Sequence, residues 1–133
     1  MLLAADTNIL VRLLVSDDLA QQRAVITRLQ SIEATGGRVL VTGVVLAELS
    51  WVLESAYGYG RDDIARAIEA VVTTSPFSVE DQTAVTEAIE GFRKGGEAGF
   101  SDHLVLAVTR ARGALPLLTF DRKLLRQTGC EKP

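Results

Sequence analysis

The chain has 133 residues, of which 47% are apolar and 23% charged, and a formal net charge of −3. That length suits one hydrophobic core and is short for two, so a single domain over residues 1–133 is expected, with its core over about 3–126. The composition excludes a disordered or fibrous chain, and net acidity argues against a general nucleic-acid coat, so any basic track for a polyanion has to be local.

The elements follow in order. Leu2 to Ala5 is a short apolar run ending on Asp6-Thr7-Asn8, the pattern of a buried strand stopping at a polar turn. Helical spacing of apolar residues covers Ile9 to Val15 and Asp17 to about Glu33, until Gly36-Gly37 breaks it. Arg38 to Thr42 reads as a second strand with a helix from Val44 to Tyr57 behind it, and Asp62 to Val72 as a further helix. Pro76 to Val79 gives a short third strand and Asp81 to Arg93 a helix closed by Gly95-Gly96. Ser101 is expected to cap a helix running to about Arg112, Pro116 to Phe120 to form another strand, and Arg122 to Arg126 a short basic helix. Strands alternating with helices point to βαβ units, hence an α/β fold with three α/β/α layers around a parallel sheet. The longest apolar runs, Val39 to Val41 and Val44 to Ala47, fall far short of the roughly 20 residues of a membrane span. Cys130 stands alone, which excludes an internal disulfide and a thiolate zinc cluster. The opening residues lack a basic leader and reach Asp6 too early for a signal peptide, so a cytoplasmic location is expected.

Four carboxylates stand out. Asp6 and Asp121 come at or just after the carboxyl ends of predicted strands, where ligands bind in open parallel sheets, although an Asp there also commonly caps a helix. Glu48 has Val44, Val45, Trp51 and Val52 as helical neighbours, which predicts a buried face on which a charge needs a partner or a metal. Asp102 lies in the first turn of its helix, where the helix dipole also favours a carboxylate. Acids gathered at one rim repel unless a cation sits among them. With His103 the sole imidazole, such an all-oxygen set favours Mg²⁺ or Mn²⁺ over zinc. Metal held by carboxylates is suited to cutting a phosphodiester.

Asp6-Thr7-Asn8 after an apolar strand, Val45-Leu46-Ala47-Glu48-Leu49, Phe100-Ser101-Asp102 opening a helix, and Leu118-Thr119-Phe120-Asp121 together resemble the PIN-domain family. The likeness is greatest to VapC-type toxins of toxin–antitoxin pairs, and extends from residue 3 to about 126 in the family's order. It implies an α/β/α sandwich, a magnesium-dependent endoribonuclease, a homodimer, an RNA substrate, and inhibition by a small antitoxin. Carried over by position, Asp6, Glu48, Asp102 and Asp121 are the catalytic and metal-binding acids, with Asn8 and Thr119 as supporting polar groups. His103 follows the helix-opening Asp where a small residue is common, and its role stays open.

Two other readings fit the same acids. A phosphatase with an aspartyl nucleophile also begins on a strand ending in Asp, but Asn8 occupies the place of its second Asp. A catalytically silent binding module would use the same acids to grip a partner's arginine. Arg110, Arg112, Arg122, Lys123 and Arg126 are the expected RNA-binding residues, brought beside the acids by dimerisation. An antitoxin helix is expected to dock in a groove lined by Leu10, Leu13, Leu14 and Val15.

Overall fold

The computed structural model describes all residues from Met1 to Pro133, as two compact units, Met1–Glu80 and Asp81–Pro133. The first carries β1 (Leu2–Ala4), α1 (Thr7–Leu14), α2 (Leu19–Ala34), β2 (Arg38–Val41), α3 (Gly43–Ser55), α4 (Arg61–Thr73) and β3 (Phe77–Val79). Its sheet runs β1-β2-β3 with every pairing parallel, Leu3 opposite Val39 and Leu40 opposite Ser78. Parallel neighbours need crossovers, and the helices supply them. Polar caps set where the helices begin: the side chain of Asp18 accepts from Gln21 N at 3.0 Å, and that of Thr42 from Val45 N at 3.3 Å. At the end of α2 the chain turns through Gly36 at φ +73°, a conformation that costs glycine nothing. Gly37 follows so close beneath α2 that a Cβ would meet Ile32 Cγ2 at 2.8 Å.

Leu10, Val41, Leu46, Leu49, Leu53 and Ile68 are completely buried and form the core of this unit. Each such side chain contributes about 1.5–3 kcal/mol by leaving water. Leu10 is therefore core and cannot line an open groove, contrary to the sequence expectation, whereas Leu13, Leu14 and Val15 are half-buried.

The second unit contains α5 (Gln82–Arg93), α6 (Phe100–Ala111), β4 (Leu117–Leu118), α7 (Arg122–Leu125) and β5 (Cys130–Glu131). Val85, Ala88, Ile89 and Phe92 on α5 are buried, as are Phe100, Leu104, Leu106 and Ala107 on α6. Phe92 meets Phe100 edge to face with centroids 6.1 Å apart. The two helices approach closely at Gly91, where a Cβ would stand 2.7 Å from His103 Nδ1. β4 is shorter than Pro116 to Phe120, and it pairs in parallel with β5, a strand the sequence reading does not contain. No helix is long and apolar enough to cross a membrane.

Candidate active site

Asp6 is the N-cap of α1, with extended backbone and its Oδ1 accepting from Thr7 N–H at 2.7 Å. This capping role does not exhaust the group, since a carboxylate offers about four acceptor positions. Thr7 is only 3% exposed and its Oγ1 has no hydrogen-bond partner. A buried orphan hydroxyl beside an exposed acid is an unsatisfied oxygen ligand or donor, and it is a feature the sequence reading passed over. Asn8 is exposed in the first turn of the same helix.

Asp102 is half-buried in the first turn of α6, and its Oδ2 accepts from Gly99 N–H at 2.9 Å. The cap of α6 is thus Gly99 and not Ser101, which lies inside the first turn. The signal for this was present: an acid placed three residues after the cap reaches back to the cap's own amide. Asp121 is the N-cap of α7, its Oδ1 accepting from Lys123 N–H at 2.8 Å. Thr119 Oγ1 in turn accepts from Asp121 N–H at 2.9 Å, fixing the turn from which this acid projects.

Glu48 departs from expectation. It is exposed, and so are Val44 and Trp51 at 77% and 66% on the same side of α3. The helix buries instead the face of Leu46, Leu49, Ser50 and Leu53. A solvated glutamate needs no buried partner, so the argument from burial fails for this residue while its accessibility to an ion remains. Glu80 is a further acid that sequence reasoning missed: its Oε1 accepts from Gly43 N–H at 2.6 Å and closes the N-terminus of α3.

Asp6 and Glu48 belong to the Met1–Glu80 unit, Asp102 and Asp121 to the other. In neither unit do three or more acidic, histidine or cysteine side chains converge closely enough to hold a metal ion. The donor types, carboxylate oxygens with the orphan hydroxyl of Thr7, fit a hard divalent cation and not a soft one.

All five expected RNA-binding residues lie in the Asp81–Pro133 unit, and two of them hold ion pairs. Arg110 pairs with Glu87, and Arg126 Nη1 lies 3.3 Å from Glu97. Arg112, Arg122 and Lys123 are exposed. Burial pushes the Cys130 thiol above its usual range and nearby Arg110 draws it partly back, so this cysteine is a poor nucleophile at neutral pH.

The PIN domain family matches residues 3–129. A VapC ribonuclease of Aquifex aeolicus (strain VF5) is 27% identical over 94 residues, covering 71% of this chain and 69% of the relative. Among solved structures, the crystal structure of VapC20 from Mycobacterium tuberculosis, described as a sarcin-ricin loop cleaving toxin, is 20% identical. It covers 95% of this chain and 94% of its own, with a TM-score of 0.42. A family match that begins in β1 and ends beyond α7 takes in every motif acid, and on that ground the chain belongs to the PIN-domain family.

Proposed function

We propose that this protein is a Mg²⁺- or Mn²⁺-dependent endoribonuclease, the toxin of a toxin–antitoxin pair, acting as a homodimer in the cytoplasm. The family match with Asp6, Glu48, Asp102 and Asp121 inside it carries the reading, and the similarity to a VapC ribonuclease supports it. Asp6 and Asp102 are the principal ligands. Each has one oxygen tied to a backbone amide, which holds the carboxylate in a fixed direction before any ion arrives. Glu48 and Asp121 act through water or orient the attacking nucleophile, and Thr119 steadies Asp121. When bound, a divalent ion lowers the pKa of a coordinated water and stabilises the departing 3′ oxygen.

Cleavage of a labelled RNA hairpin is the direct test. EDTA abolishes it, and adding back Mg²⁺ or Mn²⁺ restores it in a saturable way. Cleavage that ignores the metal overturns the reading, and RNA binding with no cleavage at any metal concentration favours the silent binding module.

Arg122 and Lys123 are exposed beside the Asp121 cap and serve as phosphate contacts. Replacing either with Ala weakens RNA binding severalfold and makes the plot of log affinity against log salt shallower by about 1, with metal affinity unchanged. Fluorescence anisotropy across a salt series measures this. The antitoxin fits as an amphipathic helix that sends a basic side chain towards the acids. A mainly apolar cavity of about 310 Å³ between β1 and α2, lined by Leu3, Ile9, Val25 and Leu29, offers such a helix a seat in place of the buried Leu10.

A further inference from the structure

The outward face of α3 carries an apolar line between two acids. Val44 and Trp51 are separated by about two helical turns, so they fall on one line along the helix surface, and they are 77% and 66% exposed. Glu48 and Glu54 lie one turn before and one turn after Trp51, on either side of that line, and both are exposed. Neither carboxylate is paired with a cation. A bare indole between two carboxylates is a surface that a cation fits, because the ring face attracts positive charge and the acids neutralise it.

Charge decides the class of occupant. No Lys or Arg occurs from Val39 to Gly60, and Glu80 adds a third carboxylate at the N-terminus of α3, where it accepts from Gly43 N–H. Arg38, just before this stretch, donates to Ser78 Oγ on β3 at 3.4 Å. The helices packed against α3 are α1 and α4, and their cations are Arg12, Arg61 and Arg66. Arg12 is paired with Asp17 and Arg66 with Asp63, while Arg61 is followed directly by Asp62 and Asp63. The surroundings therefore bring no excess of positive charge, and a polyanion such as RNA is repelled from this face. A second copy meeting it about a two-fold axis would set the glutamates of one helix against those of the other. A protein segment that combines apolar residues with arginine satisfies both parts. Its apolar side chains cover Val44, and a guanidinium plane lies on the Trp51 ring with its fork on a flanking glutamate.

Resting on the reading of Glu48 as a site acid, we propose that the outward face of α3 docks an arginine-bearing amphipathic segment of a partner protein, held by Trp51 together with Glu48 and Glu54. Docking occupies Glu48, so the contact that holds the partner also stops cleavage.

Trp51 is the sole tryptophan, and its fluorescence reports this face directly. The probe is a synthetic helical peptide of alanine, leucine and arginine, compared with the same peptide carrying glutamine in place of each arginine. The arginine peptide shifts Trp51 emission saturably and inhibits cleavage of the RNA hairpin, and the glutamine peptide binds at least about tenfold more weakly. Glu48→Gln and Glu54→Gln each weaken binding of the labelled arginine peptide at least about threefold, read by anisotropy. Trp51→Leu weakens it similarly and keeps full cleavage, and circular dichroism shows that each variant keeps the fold. No response to the arginine peptide overturns the proposal, as does equal binding of the two peptides. A larger response to a uridine oligonucleotide gives the face to RNA, and emission that shifts on dilution of the chain alone gives it to a second copy; either result overturns the proposal. A chain that binds the arginine peptide at Trp51 but cuts no RNA sinks the nuclease reading alone. A chain that cuts RNA with no peptide response sinks this docking surface alone.

Discussion

Asp6→Asn and Asp102→Asn each lower metal-dependent RNA cleavage by more than about a hundredfold while the fold survives. A hundredfold corresponds to about 2.7 kcal/mol of transition-state stabilisation, a plausible cost for removing one charged ligand. The local structure explains why Asn is the informative substitution. Asp6 Oδ1 caps α1 through Thr7 N–H, and Asp102 Oδ2 holds Gly99 N–H. Asn caps a helix about as well as Asp, which keeps the Asp6 bond, and the amide oxygen of an Asn at position 102 can still accept from Gly99 N–H, so both hydrogen bonds persist. What disappears is the charge, whose interaction with the helix dipole is worth at most about 1 kcal/mol at such positions. Melting temperature in EDTA therefore changes little, whereas Asp6→Ala also loses the cap and about 1 kcal/mol of stability with it. Isothermal titration with Mn²⁺ and single-turnover cleavage separate the two contributions. Full activity in either Asn variant removes that acid from the site, and a steep fall in apo stability makes it a structural cap alone.

The elements that could be read from the sequence are those whose signals are local. β1 and β2 are short apolar runs bounded by polar or glycine residues, and α5 shows a clear amphipathic period, so their positions agree with the structure within a residue or two. β5 was invisible because Cys130 and Glu131 are too few to show a period, and the strand exists through its pairing with Leu117 and Leu118. Ser101 looked like the cap of α6 because its hydroxyl is of the right type. The partnership of Gly99 with Asp102 places the helix start two residues earlier, a relation between neighbours and not a property of one residue. The acids themselves were legible by type and by position at element ends. Thr7, with its unsatisfied buried hydroxyl, was not, because nothing in a threonine's sequence context reports whether its oxygen finds a partner.

Leu49→Ala destabilises the protein by about 2–5 kcal/mol, whereas Trp51→Ala changes stability by no more than about 0.5 kcal/mol. The contrast is counter-intuitive from composition, since tryptophan is the larger apolar side chain, and it follows from which face of α3 is turned inward. This helix is apolar nearly all round, so periodicity could not choose between the faces. Packing chose Leu46, Leu49, Ser50 and Leu53: Leu49 is fully buried and its removal leaves a cavity, while Trp51 is 66% exposed and leaves none. Glu48 shares the outward face with Trp51 and Val44, which keeps its carboxylate in water and free to move towards an ion. Urea denaturation of both variants in the absence of metal reads the difference as a shift in midpoint at constant m-value. If Trp51→Ala costs as much as Leu49→Ala, the face carrying Glu48 is buried after all. The glutamate then needs a paired charge within the core, and its place among the solvent-facing ligands is lost.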